Sequence, residues 1–230
     1  MILGIETATP LLSVALVHDT HIHGSIVIDR PNAHDELLAP LCRDLLHYCG
    51  VSTRELDGIA VSSGPGSFTG LRIGMAVAKG MAFALRIPLA SIPTMDAIAF
   101  GMAQRRTETT PLQTVVLLPA RKEELYMGTY VLENGSSRCT TGPEVLPLVD
   151  VVARINDTML CGGNGSEAIR QHLQDPFRSI LPDTLADARH VALLGAERID
   201  AGETADAASC EPLYVQDFEV KQTKHVLQRP

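Results

Sequence analysis

A strand, a glycine-rich turn and a helix follow one another twice in this chain. Residues 58–62 read as a short buried strand. Gly64-Pro65-Gly66-Ser67 leads from it into an apolar helix over residues 70–85. Residues 159–161 lead in the same way into Gly162-Gly163-Asn164-Gly165-Ser166 and a helix over residues 167–173. Glycine allows a strand end to turn sharply and lets backbone approach backbone. A buried strand feeding a helix needs layered α/β packing. The two occurrences read as a degenerate internal duplication whose second copy is shortened.

The flanking segments extend this pattern. Residues 2–6 form a strand, and residues 12–17 and 22–28 form two more, with His18-Asp19-Thr20-His21 as the turn between them. Asn32 and Asp35 are candidate caps of a helix in which Leu37, Leu38, Leu41, Leu45 and Tyr48 recur at helical spacing. Gly50 ends it, and Pro40 removes one backbone bond inside it. Residues 88–92 form a strand and Pro93 opens a helix to about residue 104. The order is βββαβαβα. The polar stretch 105–111 reads as a linker, followed by strands over 114–118 and 124–132. The expected organisation is an α/β, actin-like (ribonuclease H-like) fold of two lobes with a cleft between them, its βββαβαβα unit repeated in degenerate form. The first lobe covers 1–105, joined by a helix over about 189–201. A smaller lobe covers 112–186, and 203–230 form a tail without clear periodicity.

Charge and cysteine usage narrow the function. A net charge of −8 argues against this chain alone gripping nucleic acid, which needs a basic face. No apolar run reads as approaching the roughly 18 residues that span a bilayer, and the acidic start Met1-Ile2-Leu3-Gly4-Ile5-Glu6 does not read as a signal peptide. Cys42, Cys49, Cys139, Cys161 and Cys210 form no CxxC pair. Their odd number fits reduced, buried thiols and a cytoplasmic protein.

A glycine turn that opens a helix is a ready anion site, because its N–H groups point outward beside the positive helix end. Gly64, Gly66, Ser67 and Gly70 are therefore a candidate phosphate loop, vestigial at most. A P-loop needs Lys followed by Ser or Thr after its last glycine, and here Leu71-Arg72 follow Gly70. The dinucleotide pattern needs glycine where Thr69 stands. Ser67 lacks the glycines of a nucleophile elbow at 65 and 69, and the chain has no HExxH. His21 and His23 share one face of their hairpin without a carboxylate or thiol at ligand spacing. His34 reads as a surface or capping residue.

The stretch Gly64-Pro65-Gly66-Ser67-Phe68-Thr69-Gly70-Leu71-Arg72 and the helix behind it carry a further signal. So do Gly4-Ile5-Glu6-Thr7-Ala8-Thr9, Asn32-Ala33-His34-Asp35-Glu36-Leu37-Leu38 and Ala120-Arg121-Lys122-Glu123-Glu124-Leu125-Tyr126. Through about residue 133 the chain resembles the bacterial tRNA threonylcarbamoyladenosine biosynthesis family TsaB, also called YeaZ. The resemblance implies a two-lobed actin-like fold. It also implies a non-catalytic role in forming the threonylcarbamoyl group on the adenosine beside the anticodon of tRNAs reading codons that begin with A. The implied partners are the paralogous transferase TsaD as heterodimer, the small ATPase TsaE, and a second copy of the chain when the paralogue is absent. tRNA is met only through the complex, with no cofactor and no membrane. In the transferase two histidines four apart bind a metal. Thr94 and Ile98 stand at those positions here, and neither replaces imidazole; Asp96 alone does not restore the site. Pro119 stands where the family often has Asp in Asp-Ala-Arg. Glu6 follows the first strand, where actin-like ATPases place a metal-binding acid; a turn acid bonded to its own loop is the other reading. No catalytic residue and no metal ligand is assigned.

The helix over 70–86 is apolar on most sides. Gly70, Gly74, Ala78 and Ala82 make a ridge of small residues at i, i+4 steps, while Arg72, Lys79 and Arg86 form one polar edge. Such a helix needs cover on most sides. The expected partner interface is the surface of 35–49 and 70–86, carried by Leu38, Leu41, Leu45, Gly70, Gly74, Met75, Ala78 and Ala82. Two other function classes remain open on the residues alone: an ATP-dependent phosphotransferase of the same fold, and a stand-alone nucleotide-binding regulator.

Overall fold

The structure is a computed structural model that describes residues 1–30, 32–156 and 158–215, with Phe177 and Arg178 described by backbone only. In chain order the elements are β1 (Ile2–Glu6), β2 (Leu12–His18), β3 (His21–Ile28), α1 (His34–Tyr48), a 3-10 turn (Thr53–Glu55), β4 (Gly58–Gly64), α2 (Phe68–Leu85), β5 (Leu89–Pro93) and α3 (Thr94–Gln104). Then come β6 (Leu112–Pro119), β7 (Glu124–Glu133), β8 (Ser136–Pro147), α4 (Leu148–Arg154), β9 (Leu160–Gly162), a 3-10 helix (Ser166–His172), α5 (Pro176–Ser179) and α6 (Ala188–Asp200).

The first sheet has strand order β3-β2-β1-β4-β5. Its central strands β1 and β4 run parallel, and every residue of both is buried. That is why they read as continuous apolar runs rather than alternating ones: both sheet faces are covered. On one face α1 and α2 bury Leu38, Cys42, Leu45, Met75, Ala78 and Ala82 against Leu3, Ile5 and Val61. On the other, α6 lays Val191 and Ala192 against Ile2, Ala60 and Ala90. A Cβ on Gly4 would collide with the Ala188 carbonyl, so glycine is what lets α6 lie this close.

The second sheet has order β8-β7-β6-β9, with β6 and β9 parallel and β6-β7-β8 antiparallel. Strand for strand this repeats β3-β2-β1-β4, without a counterpart of β5. α3 lies between the sheets. It packs Ala97 toward the first, and Met95, Ile98 and Met102 against Val116, Leu118, Tyr130 and Leu132 of the second. The duplicated, two-lobed sheet order is the actin-like, ribonuclease H-like architecture.

The ridge Gly70, Gly74, Ala78 and Ala82 does not face outward: all four are buried, as are Leu38, Leu45 and Met75, and only Leu41 of the eight expected interface residues is half-exposed. For Gly70 and Gly74 the physical reason is the β1–β2 turn, whose Thr7 lies on the first two turns of α2; the others pack into the core between α1, α2 and the first sheet. The Phe68–Leu85 helix does reach 18 residues with mean hydropathy 1.3, so a run of membrane length and composition exists; part of it is core. Neither Asn32 nor Asp35 caps α1. Its cap position is Ala33, and no side chain bonds there. Strand β8 and helix α4 add to the elements expected from the sequence. The described part of the tail runs back along the first lobe, with Ala205 N–H donating to Leu89 O at 2.7 Å and Leu213 N–H to Ser63 O at 2.6 Å. Tail residues 216–230 lie outside the described residues.

Candidate functional site at the first glycine turn

β4 ends at Gly64, whose φ of 114° requires glycine. Its N–H donates to Thr94 Oγ1 at 3.1 Å. Ser67 caps α2, its Oγ accepting from Gly70 N–H at 3.2 Å. The Ser67 N–H donates to the Ala8 carbonyl at 2.7 Å. A Cβ on Gly66 would collide with Ala8 O, on Gly70 with Thr7 O, and on Gly74 with Thr7 Oγ1. The candidate phosphate loop Gly64, Gly66, Ser67 and Gly70 is thus a docking surface for the turn that follows β1. The N–H groups of Gly64, Ser67 and Gly70 are spent on protein oxygens.

The second turn repeats the device. Gly163 has φ 85° and donates to Thr184 Oγ1 at 2.8 Å, and Gly165 N–H donates to Leu117 O at 2.9 Å. A Cβ on Gly163 would collide with that same carbonyl. Each glycine turn lies over the end of its parallel neighbour strand.

Between the turns is a cavity of about 490 Å³. Thr9, Asp29, His34, Asp35 and Ser67 line it from the first lobe, and Leu118, Pro119 and Asn164 from the second. His34 is tied to Thr9 O through Nε2 at 3.2 Å. Among the described residues no Lys or Arg lines this cleft, so a polyphosphate would meet two carboxylates, Asp29 and Asp35, and no Lys or Arg of those residues. Glu6 lies beneath the turn, fully buried and outside the cavity lining. Its Oε1 accepts from Ala8 N–H at 2.6 Å, and its Oε2 has no partner at full hydrogen-bond geometry among the described residues. Burial pushes this carboxyl up to about 7, against the pull of the Ser62 hydroxyl and the Ala8 and Thr9 backbone. Of its two readings from sequence, the bonded turn acid is the one this geometry matches.

Thr94 is fully buried and Ile98 nearly so, both within core. Asp96, between them, is a clamp. Its Oδ1 accepts from the Tyr130 hydroxyl at 2.9 Å and its Oδ2 from Arg198 at 3.4 Å, joining α3, β7 and α6. His21 and His23 stack edge to face 5.1 Å apart at the hairpin, away from the cleft.

What the sequence missed is the outer face of α2. Thr69, Arg72, Ala76, Gly80, Phe83 and Ala84 are exposed there, with Ile73 and Val77 half-exposed between them. Phe83 is 81% exposed and Tyr48 of α1 is 78% exposed. A Cβ at Gly80 would meet nothing within 4 Å, so nothing in this chain requires glycine there. Read at i, i+3 and i+4 steps, Ile73, Ala76, Gly80 and Ala84 are the signal that could have found this face.

The family model of TsaD, tRNA N6-adenosine threonylcarbamoyltransferase, matches residues 29–195. The tRNA threonylcarbamoyladenosine biosynthesis protein TsaB of Escherichia coli K12 is 34% identical over 94% of this chain and 94% of its own. The TsaB of Bacillus subtilis 168 is 29% identical over 94% of this chain and 93% of its own. A solved Pseudomonas aeruginosa structure, described as similar to peptidase YeaZ, superposes with TM-score 0.81 at 28% identity, covering 94% of this chain and 99% of that one. A second, YeaZ from the same organism, gives 0.78 at 28% identity, covering 93% and 98%.

Proposed function

Since the chain belongs to the TsaB (YeaZ) family of tRNA threonylcarbamoyladenosine biosynthesis proteins, we propose that within that biosynthesis it is a non-catalytic partner of the transferase TsaD. It activates the transferase by docking and has no cofactor of its own. The small ATPase TsaE joins the same cytoplasmic assembly, tRNA is met through the complex, and the chain pairs with itself when the transferase is absent.

The observation that carries this reading is the exposed outer face of α2. Its apolar stripe runs through Ile73, Val77 and Phe83 and has an open glycine at Gly80. A mid-helix glycine costs about 0.5–1 kcal/mol relative to alanine. Close approach of another backbone is what would offset it. A paralogue of the same fold presents an equivalent helix pair, so α1 and α2 would pack against their counterparts. The interface keeps the expected helices but moves from the buried ridge to the opposite side of α2.

The cleft supports the non-catalytic half. By the resemblance, Thr94 and Ile98 stand where the transferase's metal-binding histidines would be, and among the described residues no Lys or Arg lines the cavity. That also weighs against an ATP-dependent phosphotransferase and a nucleotide-binding regulator. The test is size-exclusion chromatography of the chain with TsaD, alone and with Phe83→Arg, together with ATP turnover by the isolated chain. One-to-one assembly lost in the variant, without turnover by the chain, is expected. Turnover by the chain alone, or assembly indifferent to Phe83, would overturn the reading.

A further inference from the structure

On the other side of Gly66 and Pro119, residues that line both cavities, lies a second pocket of about 320 Å³. Its chemistry is the reverse of the first. Arg72 and Arg121 line it, and among the described residues no Asp or Glu does. The chain has four Tyr, five Phe and no Trp, yet Phe68, Tyr126 and Tyr214 all meet at this one place. The rings come from three separate parts of the chain: the start of α2, strand β7 and the tail.

The tail is held here by several contacts. Leu213 N–H donates to Ser63 O at 2.6 Å, and Lys79 Nζ donates to the carbonyls of Ala208 and Cys210 at 3.2 and 2.9 Å. Tyr214 then lies 5.3 Å from the Phe68 ring. The Arg72 guanidinium sits 3.9 Å over that same ring and donates through Nε to the Tyr214 hydroxyl at 3.1 Å. Arg72 is therefore oriented in advance, and its two terminal amino groups have no partner among the described residues.

Aromatic faces interleaved with arginines are the means by which proteins hold single-stranded RNA: bases stack on the rings and phosphates meet the guanidinium groups. The geometry points to this pocket as a contact for one unstacked nucleotide of RNA, its base against Tyr126 and Tyr214 and its phosphate against Arg72 and Arg121. The inference rests on the proposed role in tRNA modification and names the surface by which this acidic chain would touch the tRNA. One pocket on an acidic body gives weak binding alone and counts inside an assembly.

The test uses tRNA carrying 4-thiouridine, the assembled complex of this chain with TsaD, and the double variant Arg121→Glu, Tyr214→Ala. Both side chains lie at the surface, and thermal melting checks that the fold is kept. Irradiation is expected to crosslink tRNA to peptides holding Arg121 or Tyr214. Binding measured by anisotropy across a salt series is expected to weaken fivefold or more in the variant, with the salt slope lowered by about one. Unchanged affinity and slope in a variant that melts and assembles like the parent would overturn the inference. So would AMP binding to the chain that the variant abolishes while tRNA affinity stays the same, because the pocket would then serve a free mononucleotide. Crosslinking is read on the isolated chain at low salt as well. Failure to assemble therefore counts against the partnership, while the presence or absence of crosslinks at this pocket still decides the inference.

Discussion

Gly70 packs so closely beneath Thr7 that a Cβ on it would collide with the Thr7 carbonyl oxygen. The glycine turn thus serves contact between two parts of one lobe. Gly70→Ala is expected to destabilise the chain by about 1–3 kcal/mol through overpacking. On the same helix Gly80→Ala, with open space around it, is expected to stabilise by about 0.5–1 kcal/mol. Urea denaturation of both variants checks the pair. Equal effects would mean that the close approach of the β1–β2 turn is not what requires glycine at 70.

The two sides of α2 predict opposite outcomes for a bulky charge. Ala78 is fully buried against the first sheet, so Ala78→Arg is expected to collapse the thermal melt along with partner binding. Phe83→Arg is expected to leave the melt within about a degree or two and abolish docking. Measuring melting and assembly on the same samples separates them. A stable, docking-deficient Ala78→Arg would place the contact on the inner side.

Glu6 predicts a pH dependence of stability. Its folded carboxyl titrates near 7, against an ordinary value of 4.5. Between those values the folded state holds a proton that the unfolded state has released. Stability from this group is fully present below about pH 4.5 and is lost as pH rises through about 7. The loss is on the order of 3 kcal/mol by pH 8. Glu6→Gln is expected to flatten that part of the profile, seen as urea midpoints at pH 5 and 8. An unchanged profile would show that Glu6 is ionised in the fold.

How much of this was legible from sequence depends on the residue. β1 and β4 were legible because strands covered on both faces are apolar throughout. β8 was not: most of its residues are exposed, so it has no hydrophobic alternation and is held by its pairing with β7. The start of α1 has no local signature, because Ala33 stands at its cap with no side-chain bond. The inward side of α2 could not be chosen from composition, since both sides are apolar. It is fixed by Thr7, whose place above the helix depends on the tertiary fold. The Asp96–Tyr130 clamp joins residues 34 apart in sequence and has no local signature.

The most direct measurement is threonylcarbamoyladenosine in tRNA, quantified by mass spectrometry after incubation with the threonylcarbamoyl donor. This chain, TsaD, and the two together are each supplied with TsaE. The account predicts no product from this chain, abundant product from the pair, and little when the pair carries Phe83→Arg. Product from this chain without TsaD, or equal product from TsaD with and without it, would contradict the claim that the chain acts as a non-catalytic activating partner.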